Sequence, residues 1–328
     1  MASILVTGGA GYIGAHTAHY LLRLGHDVQV LDDLSYGYRH NVPDGRLHVL
    51  NLLDTNALDA LLKQFSFDAV VHFAAFIQVG ESARKPEMYF RNNCGATFNL
   101  LDAMARANVR RIVFSSTAAV YGNPERTPIT APITEDMPHR PVNPYGQTKL
   151  MVETAMHWMD RCSGLRFVAL RYFNACGAEE AYGIGEEHQP ETHLIPLVLR
   201  AARTGEPVTV FGDDYPTPDG TCIRDYIHVS DLATAHAAAL DHLIAGGASA
   251  SFNAGTGHGF SVLEVIRAVE RVTGLKVPYK VGPRREGDPA VLVADSTKLQ
   301  QTLGWKPGYT TLESMVESAW KFDRRKHG

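Results

Sequence analysis

Disulfide pairs, membrane spans and basic tracts are all missing from this sequence. Its four cysteines, Cys94, Cys162, Cys176 and Cys222, are spread over 328 residues with no Cys-x-x-Cys pair and no zinc-ligand spacing to histidine. That pattern excludes a disulfide scaffold and a zinc finger, and fits reduced thiols in a cytosol. No apolar run approaches the roughly 20 residues that cross a bilayer. Met1 leads straight into Ile4-Leu5-Val6-Thr7-Gly8 without a basic leader or a cleavage site, so a cytoplasmic chain with no membrane partner is expected. Excess positive charge is missing too, because 31 Lys and Arg face 35 Asp and Glu, for a formal net charge of -4. With no stripe to neutralise a phosphate backbone, nucleic acid is excluded as a partner.

What the chain does have is a 45% apolar content, enough for a substantial core without staples. In the first half, short apolar runs at residues 4–7, 28–31, 47–50, 69–73, 112–115 and 167–170 alternate with segments of helical periodicity at 13–24, 57–64 and 87–107. Strands alternating with amphipathic helices predict an α/β chain with a parallel, doubly wound sheet. Beyond about residue 175, Pro and Gly scatter through 183–196, 205–220 and 282–289, between helices expected at 195–204, 229–244 and 262–272. The expectation is a domain over 1–175, to which later segments return, and a smaller lobe drawn mainly from 176–328.

Thr7-Gly8-Gly9-Ala10-Gly11-Tyr12-Ile13-Gly14 follows the first expected strand and opens the first helix. Glycines there let the backbone turn tightly and approach a pyrophosphate, which the helix N-terminus then holds. Asp32 closes the second strand eighteen positions after Gly14, where a carboxylate accepts both adenosine ribose hydroxyls. With Asp33 beside it and only Arg39 near in sequence, a 2'-phosphate is disfavoured, and NAD rather than NADP is expected. The sheet is therefore of the Rossmann type. A glycine-rich turn that binds nothing is the alternative, and strand, helix and acid together argue against it.

Tyr145 and Lys149 lie four residues apart at the start of a helix and so share one face. Taken alone, such a pair usually decorates a helix surface. Here Ser115-Ser116-Thr117-Ala118-Ala119-Val120-Tyr121-Gly122 leaves the end of a strand, where open parallel sheets place their ligands, and adds hydroxyls beside a tyrosine base. For a tyrosine to act as a base near neutrality its pKa must fall by roughly 3 from about 10, a drop that a lysine ammonium and a positive nicotinamide ring are expected to supply.

Further blocks are His72-Phe73-Ala74-Ala75, Val79-Gly80-Glu81-Ser82, Asn92-Asn93, Leu170-Arg171-Tyr172-Phe173-Asn174, Arg224-Asp225-Tyr226-Ile227-His228-Val229 and Pro283-Arg284-Arg285-Glu286-Gly287-Asp288. With them the chain resembles the extended short-chain dehydrogenase/reductase superfamily, and within it is similar over nearly its whole length to the UDP-hexose 4-epimerases. The resemblance implies an NAD-dependent isomerase. Tyr145 takes the proton of the sugar 4-hydroxyl as hydride leaves for NAD, the 4-keto sugar turns over, and hydride returns to its other face. Thr117 then bonds the reacting oxygen and Lys149 holds the nicotinamide ribose.

Cofactor contacts implied by the resemblance are Gly8, Gly11, Tyr12, Ile13, Gly14, Asp32, Asp33, Asn51, Leu52, Phe73, Ala74, Ala75, Asn92, Ser115, Tyr145, Lys149 and Tyr172. Implied substrate contacts are Thr117, Tyr145, Asn174, His193, Leu194, Arg224, Arg285, Asp288 and Leu292, with the arginines on the pyrophosphate because a guanidinium fork suits phosphate. A homodimer through the helices at 87–107 and 149–162 is implied as well. No metal is expected, since His16, His157 and His236 share no ligand spacing.

The chain departs from the usual pattern at several positions. Thr117 replaces a serine, Ile77 a phosphate-binding lysine, Asn51 an aspartate at the adenine and His193 an asparagine near the uridine phosphate, while Leu292 takes the position that governs room for an N-acetyl group. Ala118 and Ala119 stand where sugar-nucleotide dehydratases carry Asp-Glu, which argues against dehydration. UDP-uronate and UDP-N-acetylhexosamine epimerisation, net-redox dehydrogenation and a non-catalytic NAD-binding role remain the alternatives.

Overall fold

Runs of buried valine, leucine and isoleucine, too short for helices, form the central strands of the computed structural model, which describes residues 1–124, 128–285 and 287–328. They are β1 (Ser3–Thr7), β2 (Asp27–Asp32), β3 (Leu47–Val49), β4 (Ala69–His72), β5 (Arg111–Thr117) and β6 (Arg166–Tyr172). Four further strands follow in the second half of the chain: β7 (Asn174–Cys176), β8 (Val208–Phe211), β9 (Ile223–His228) and β10 (Ala250–Ala254). A seven-stranded sheet forms in the order β10-β6-β5-β4-β1-β2-β3, all neighbours parallel. Order reverses between β1 and β4, and such a switch point opens a crevice at the C-terminal ends of the strands.

Both faces are covered, as a parallel sheet requires. Helices α1 (Tyr12–Arg23), α2 (Thr55–Gln64), α3 (Val79–Arg84), α4 (Pro86–Tyr89), α5 (Ala96–Arg106), α6 (Pro144–Ser163), α7 (Leu194–Thr204) and α8 (Val229–Ile244) follow in chain order. Leu21 of α1 and Leu232 and Leu240 of α8 pack with Val6, Val30 and Phe252 on one face. Leu58 of α2, Leu100 and Met104 of α5 and Met156 of α6 pack with Leu5, Val70 and Phe114 on the other.

Between α4 and α5 the backbone stays helical but widens into a π-helical stretch, Phe90–Gly95. The single helix expected at 87–107 is thus interrupted where Asn93 is buried, a disturbance that apolar periodicity does not encode. Helix α6 begins cleanly because Asn143 accepts a hydrogen bond from the Gly146 amide at 2.8 Å and Pro144 occupies the first turn, and it stops at Gly164 in the left-handed region (φ 71°).

The remaining strands, β11 (Gly259–Ser261), β12 (Tyr279–Gly282) and β13 (Val291–Leu292), pair outside the main sheet: β9 with β7, β11 and β13, and β8 with β12. Helices α9 (Val262–Thr273), α10 (Thr297–Leu303) and α11 (Leu312–His327) complete the chain, with Val265, Val269, Met315 and Val316 packing on α7. Most of these strands carry no apolar alternation; β9 reads Ile-Arg-Asp-Tyr-Ile-His. Strand β10 returns to the main sheet beside β6 although it reads Ala-Ser-Phe-Asn-Ala. Among the described residues no helix is long and apolar enough to cross a membrane.

Candidate active site

At the end of β1 the chain turns at Gly8, whose φ of 71° only glycine adopts readily, and a Cβ there would fall 2.5 Å from the Ala74 nitrogen. A Cβ on Gly14 would fall 2.2 Å from the Gly8 oxygen. The first helical hydrogen bond of α1 runs from Ala15 N to Gly11 O at 2.9 Å, so the amides of Tyr12, Ile13 and Gly14 precede it and form the anion-attracting end of the helix. A backbone cradle clear of side chains with positive polarity is what a pyrophosphate needs. Asp32 ends β2 in a buried position and accepts from the amides of Ala10 at 3.0 Å and Leu34 at 2.8 Å. Burial raises its pKa, and those two amides work against the rise. Asp33 accepts from the Asn51 side-chain amide at 2.7 Å, joining the two residues expected at the adenosine end.

Other cofactor positions have mixed placements. Phe73 and Ala74 both donate from their amides to the Thr7 carbonyl, at 2.8 and 3.1 Å, so they border the glycine turn. Ala75 continues that segment half-buried, and Ile77 is exposed. Tyr12 points its hydroxyl away to the Gly177 carbonyl, 2.6 Å distant, and Ile13 packs on the core. Leu52 is a core residue of the second cluster. Asn92 is half-buried and donates to Asn93, and it is Asn93 that clamps Phe76 through both backbone groups at 2.8 and 3.0 Å.

The Tyr/Lys pair comes together with β5 as expected. Tyr145 is half-buried, with the Thr117 hydroxyl near enough to favour its ionised form. Lys149 donates to the Ser115 carbonyl at 2.7 Å and lies 6.0 Å from the centre of the Tyr145 ring. Ser115 and Tyr172 share a short hydroxyl–hydroxyl hydrogen bond at the ends of β5 and β6. Burial pushes Tyr145 up to about 12, only partly opposed by Thr117, and pushes Lys149 down to about 7. The lysine therefore does not acidify the tyrosine by itself, because the same desolvation that raises the phenol weakens the ammonium.

Beneath this group lies a network that the sequence reading missed. Arg171 of β6 and Glu153 of α6 form a buried ion pair at 2.6 Å, with side chains only 3% and 2% exposed. Arg171 also donates to the Tyr121 hydroxyl at 2.9 Å, which donates to Asn253 of β10 at 2.7 Å, while Ser116 donates to Glu153. The available signal was Glu153 itself, four residues past Lys149 on the face that carries Tyr145.

On the lobe side, Arg224 of β9 pairs with Asp288 at 3.4 Å, and the Arg285 guanidinium stacks 4.0 Å from the Phe211 ring centre. Glu286, next to it, lies outside the described residues. Leu292 sits opposite Arg224 in the β13–β9 register and packs, as Phe173 and Leu150 do, against the buried cluster of Val120, Tyr121 and Ile133. Asn174 opens β7 beside Tyr226. Leu194 starts α7 and packs on the lobe core. His193, at the N-terminus of the same helix, does not stand free as a substrate contact. Its Nδ1 lies 2.7 Å from Glu186 and 3.2 Å from Glu191, with His188 against the same two acids. Burial works against charge on these imidazoles, but Glu186 and Glu191 outweigh it and raise His188 to about 9 and His193 to about 10.

A glycine cradle and ribose acid at the switch point, with Tyr145, Lys149 and Thr117 one strand away, define a nicotinamide-dependent protein of the short-chain dehydrogenase/reductase class. Similarity to known proteins narrows that class. A family model described as "NAD dependent epimerase/dehydratase family" matches residues 4–255. A UDP-glucose 4-epimerase of Halalkalibacterium halodurans is 51% identical over 99% of this chain and 97% of its own. The solved UDP-glucose 4-epimerase of Brucella ovis in complex with NAD superposes with a TM-score of 0.94 at 44% identity over 98% of both chains. That of Bifidobacterium longum, in complex with NAD+ and UDP, gives 0.91 at 39% identity, again over 98% of both. The chain belongs to the NAD-dependent epimerase/dehydratase family, and NAD is its cofactor.

Proposed function

We propose that this chain is a UDP-glucose 4-epimerase, interconverting UDP-galactose and UDP-glucose. The observation that carries the reading is the placing of Tyr145 and Lys149, one helical turn apart on α6, against Thr117 and Ser115 at the end of β5. When bound, NAD supplies a hydride acceptor and donor at carbon 4. The residues do the rest. Thr117 orients the 4-hydroxyl, and Tyr145 removes its proton and later returns it. Lys149 is held by the Ser115 carbonyl where it meets the nicotinamide ribose and, protonated, favours the phenolate. Arg224 and Arg285, with Asn174 and Asp288, bind the UDP portion. The turn after Thr117 is Ala118–Val120, with no carboxylate to expel water, which supports epimerisation over dehydration.

Purified protein mixed with UDP-galactose should form UDP-glucose without accumulating reduced nicotinamide. No conversion with NAD supplied would overturn the reading. Arg285→Ala is expected to raise the KM for UDP-galactose about 10–100-fold, the worth of one charged hydrogen bond, with kcat much less affected. An unchanged KM removes Arg285 from the site.

The substrate lobe is drawn mainly from residues 176–328, and the chain works in the cytoplasm, where its four cysteines stay free as they are here. It forms a homodimer through α5 and α6, which leave Phe98, Met151 and Trp158 exposed. Sedimentation at assay concentration should give twice the chain mass of 35.9 kDa, and a monomer would exclude this arrangement.

A further inference from the structure

The loop before α7 reads Glu186-x-His188-x-x-Glu191-x-His193, and it folds its four side chains onto one point. The donor atoms lie within 4.8 Å of one another. Glu186 Oε1 is 3.3 Å from His188 Nδ1 and 2.7 Å from His193 Nδ1, and Glu191 is 3.6 Å from the first nitrogen and 3.2 Å from the second. An ion bound tetrahedrally at about 2.0–2.2 Å by nitrogen and oxygen spaces its donors roughly 3.3–3.6 Å apart. Three of the four separations lie close to that range, and the His193–Glu186 contact is shorter. Three of the side chains are 7%, 14% and 15% exposed.

A second observation separates this cluster from a set of ion pairs. Both Nδ1 atoms are shut off from solvent, yet neither has a hydrogen-bond partner. The carboxylates stand 2.7–3.6 Å away without completing a hydrogen bond to either nitrogen. Buried polar atoms left in this way call for a ligand. The two carboxylates balance a dication that takes the place of the protons on the two imidazoles.

We propose that Glu186, His188, Glu191 and His193 form a structural zinc site. Two nitrogen and two oxygen donors suit Zn2+ among the divalent ions, and four protein donors leave no open position for catalysis. The ion fastens the segment ahead of α7 against the dinucleotide half, since the His188 ring meets the edge of Tyr12, 6.2 Å between centres, at the start of α1. Glu191 Oε1 accepts from the Thr192 and His193 amides at 2.7 and 2.8 Å, which fixes this carboxylate in place.

The test uses the full chain with no affinity tag. Elemental analysis after purification without chelator, or titration with Zn2+ against a chromogenic chelator, should give one zinc per chain. The Co2+ form should show the intense visible bands of tetrahedral cobalt. His188→Ala and Glu186→Gln should weaken zinc binding by more than the roughly 10–100-fold lost with an outer-shell partner, with bound NAD retained. Absence of zinc uptake by the unaltered protein overturns the proposal and leaves two imidazolium–carboxylate pairs. Zinc binding that survives both substitutions also overturns it.

Discussion

Tyr145→Phe should lower kcat by about 10²–10⁴-fold, the usual worth of a positioned acid–base group, while the protein stays folded and retains NAD. The substitution removes one oxygen. Its neighbour Thr117 keeps the Ala119 amide, which donates to its Oγ1 at 3.2 Å, so the loss in stability should not exceed about 1–3 kcal/mol. The effect on rate is larger because no other group reaches the same proton: Tyr172 is committed to Ser115 and Lys149 to the Ser115 carbonyl. In the chain alone Tyr145 sits at about 12, and bringing it to neutrality requires roughly 7 kcal/mol in favour of the phenolate. Burial lowers Lys149 as well, so the lysine and the positive nicotinamide ring are expected to supply that stabilisation together. Thr117→Ser should keep most activity and Thr117→Val should lose it. Activity of Tyr145→Phe within tenfold of the parent would remove the tyrosine from proton transfer.

The parts of this molecule legible in the sequence are those where one local rule decides the structure. Buried parallel strands read as apolar runs, and all six expected in the first half form within about two residues of their expected ends. The glycine turn, Asp32 and the Tyr145/Lys149 face were legible for the same reason, since each is fixed by neighbours close in the chain. What was hidden depends on distant partners. Strand β10 joins the sheet because β6 offers an open edge, and its alanines and polar residues announce nothing. The side chains of Leu52 and Ile13 pack on the core, so the cofactor contact expected of them falls to their backbone. His193 resembles a substrate contact by position. Its grouping with Glu186, His188 and Glu191 stays hidden because the histidine spacing alone matches no zinc motif, and the acids join it only once the loop folds.

Removing the guanidinium beneath the site is expected to cost more stability than removing any of the site's hydroxyls. Arg171→Met should destabilise the fold by about 3–5 kcal/mol, because it strands the Glu153 carboxylate in the interior without the cation that contacts it. Glu153 then keeps Ser116 and a long contact with Ser251 at 3.4 Å, which hold its geometry but not its charge. Glu153→Leu should cost a similar amount by stranding Arg171, whose remaining partner is the Tyr121 hydroxyl. The double variant Arg171→Met/Glu153→Leu removes both charges and should recover much of the loss, leaving about 1–3 kcal/mol for the hydroxyl left unpaired at Ser116, since Tyr121 keeps Asn253. Urea denaturation of the four proteins measures this directly, and the coupling should be several kcal/mol. Additive costs, or single costs under about 1 kcal/mol, would mean that water reaches the pair. The network also binds β5, α6, β6 and β10 just below Thr117 and Tyr145. A single variant that remains folded should therefore lose kcat without a matching rise in KM, because Arg224 and Arg285, proposed to bind UDP, stand on β9 and the loop before β13, outside the strained layer.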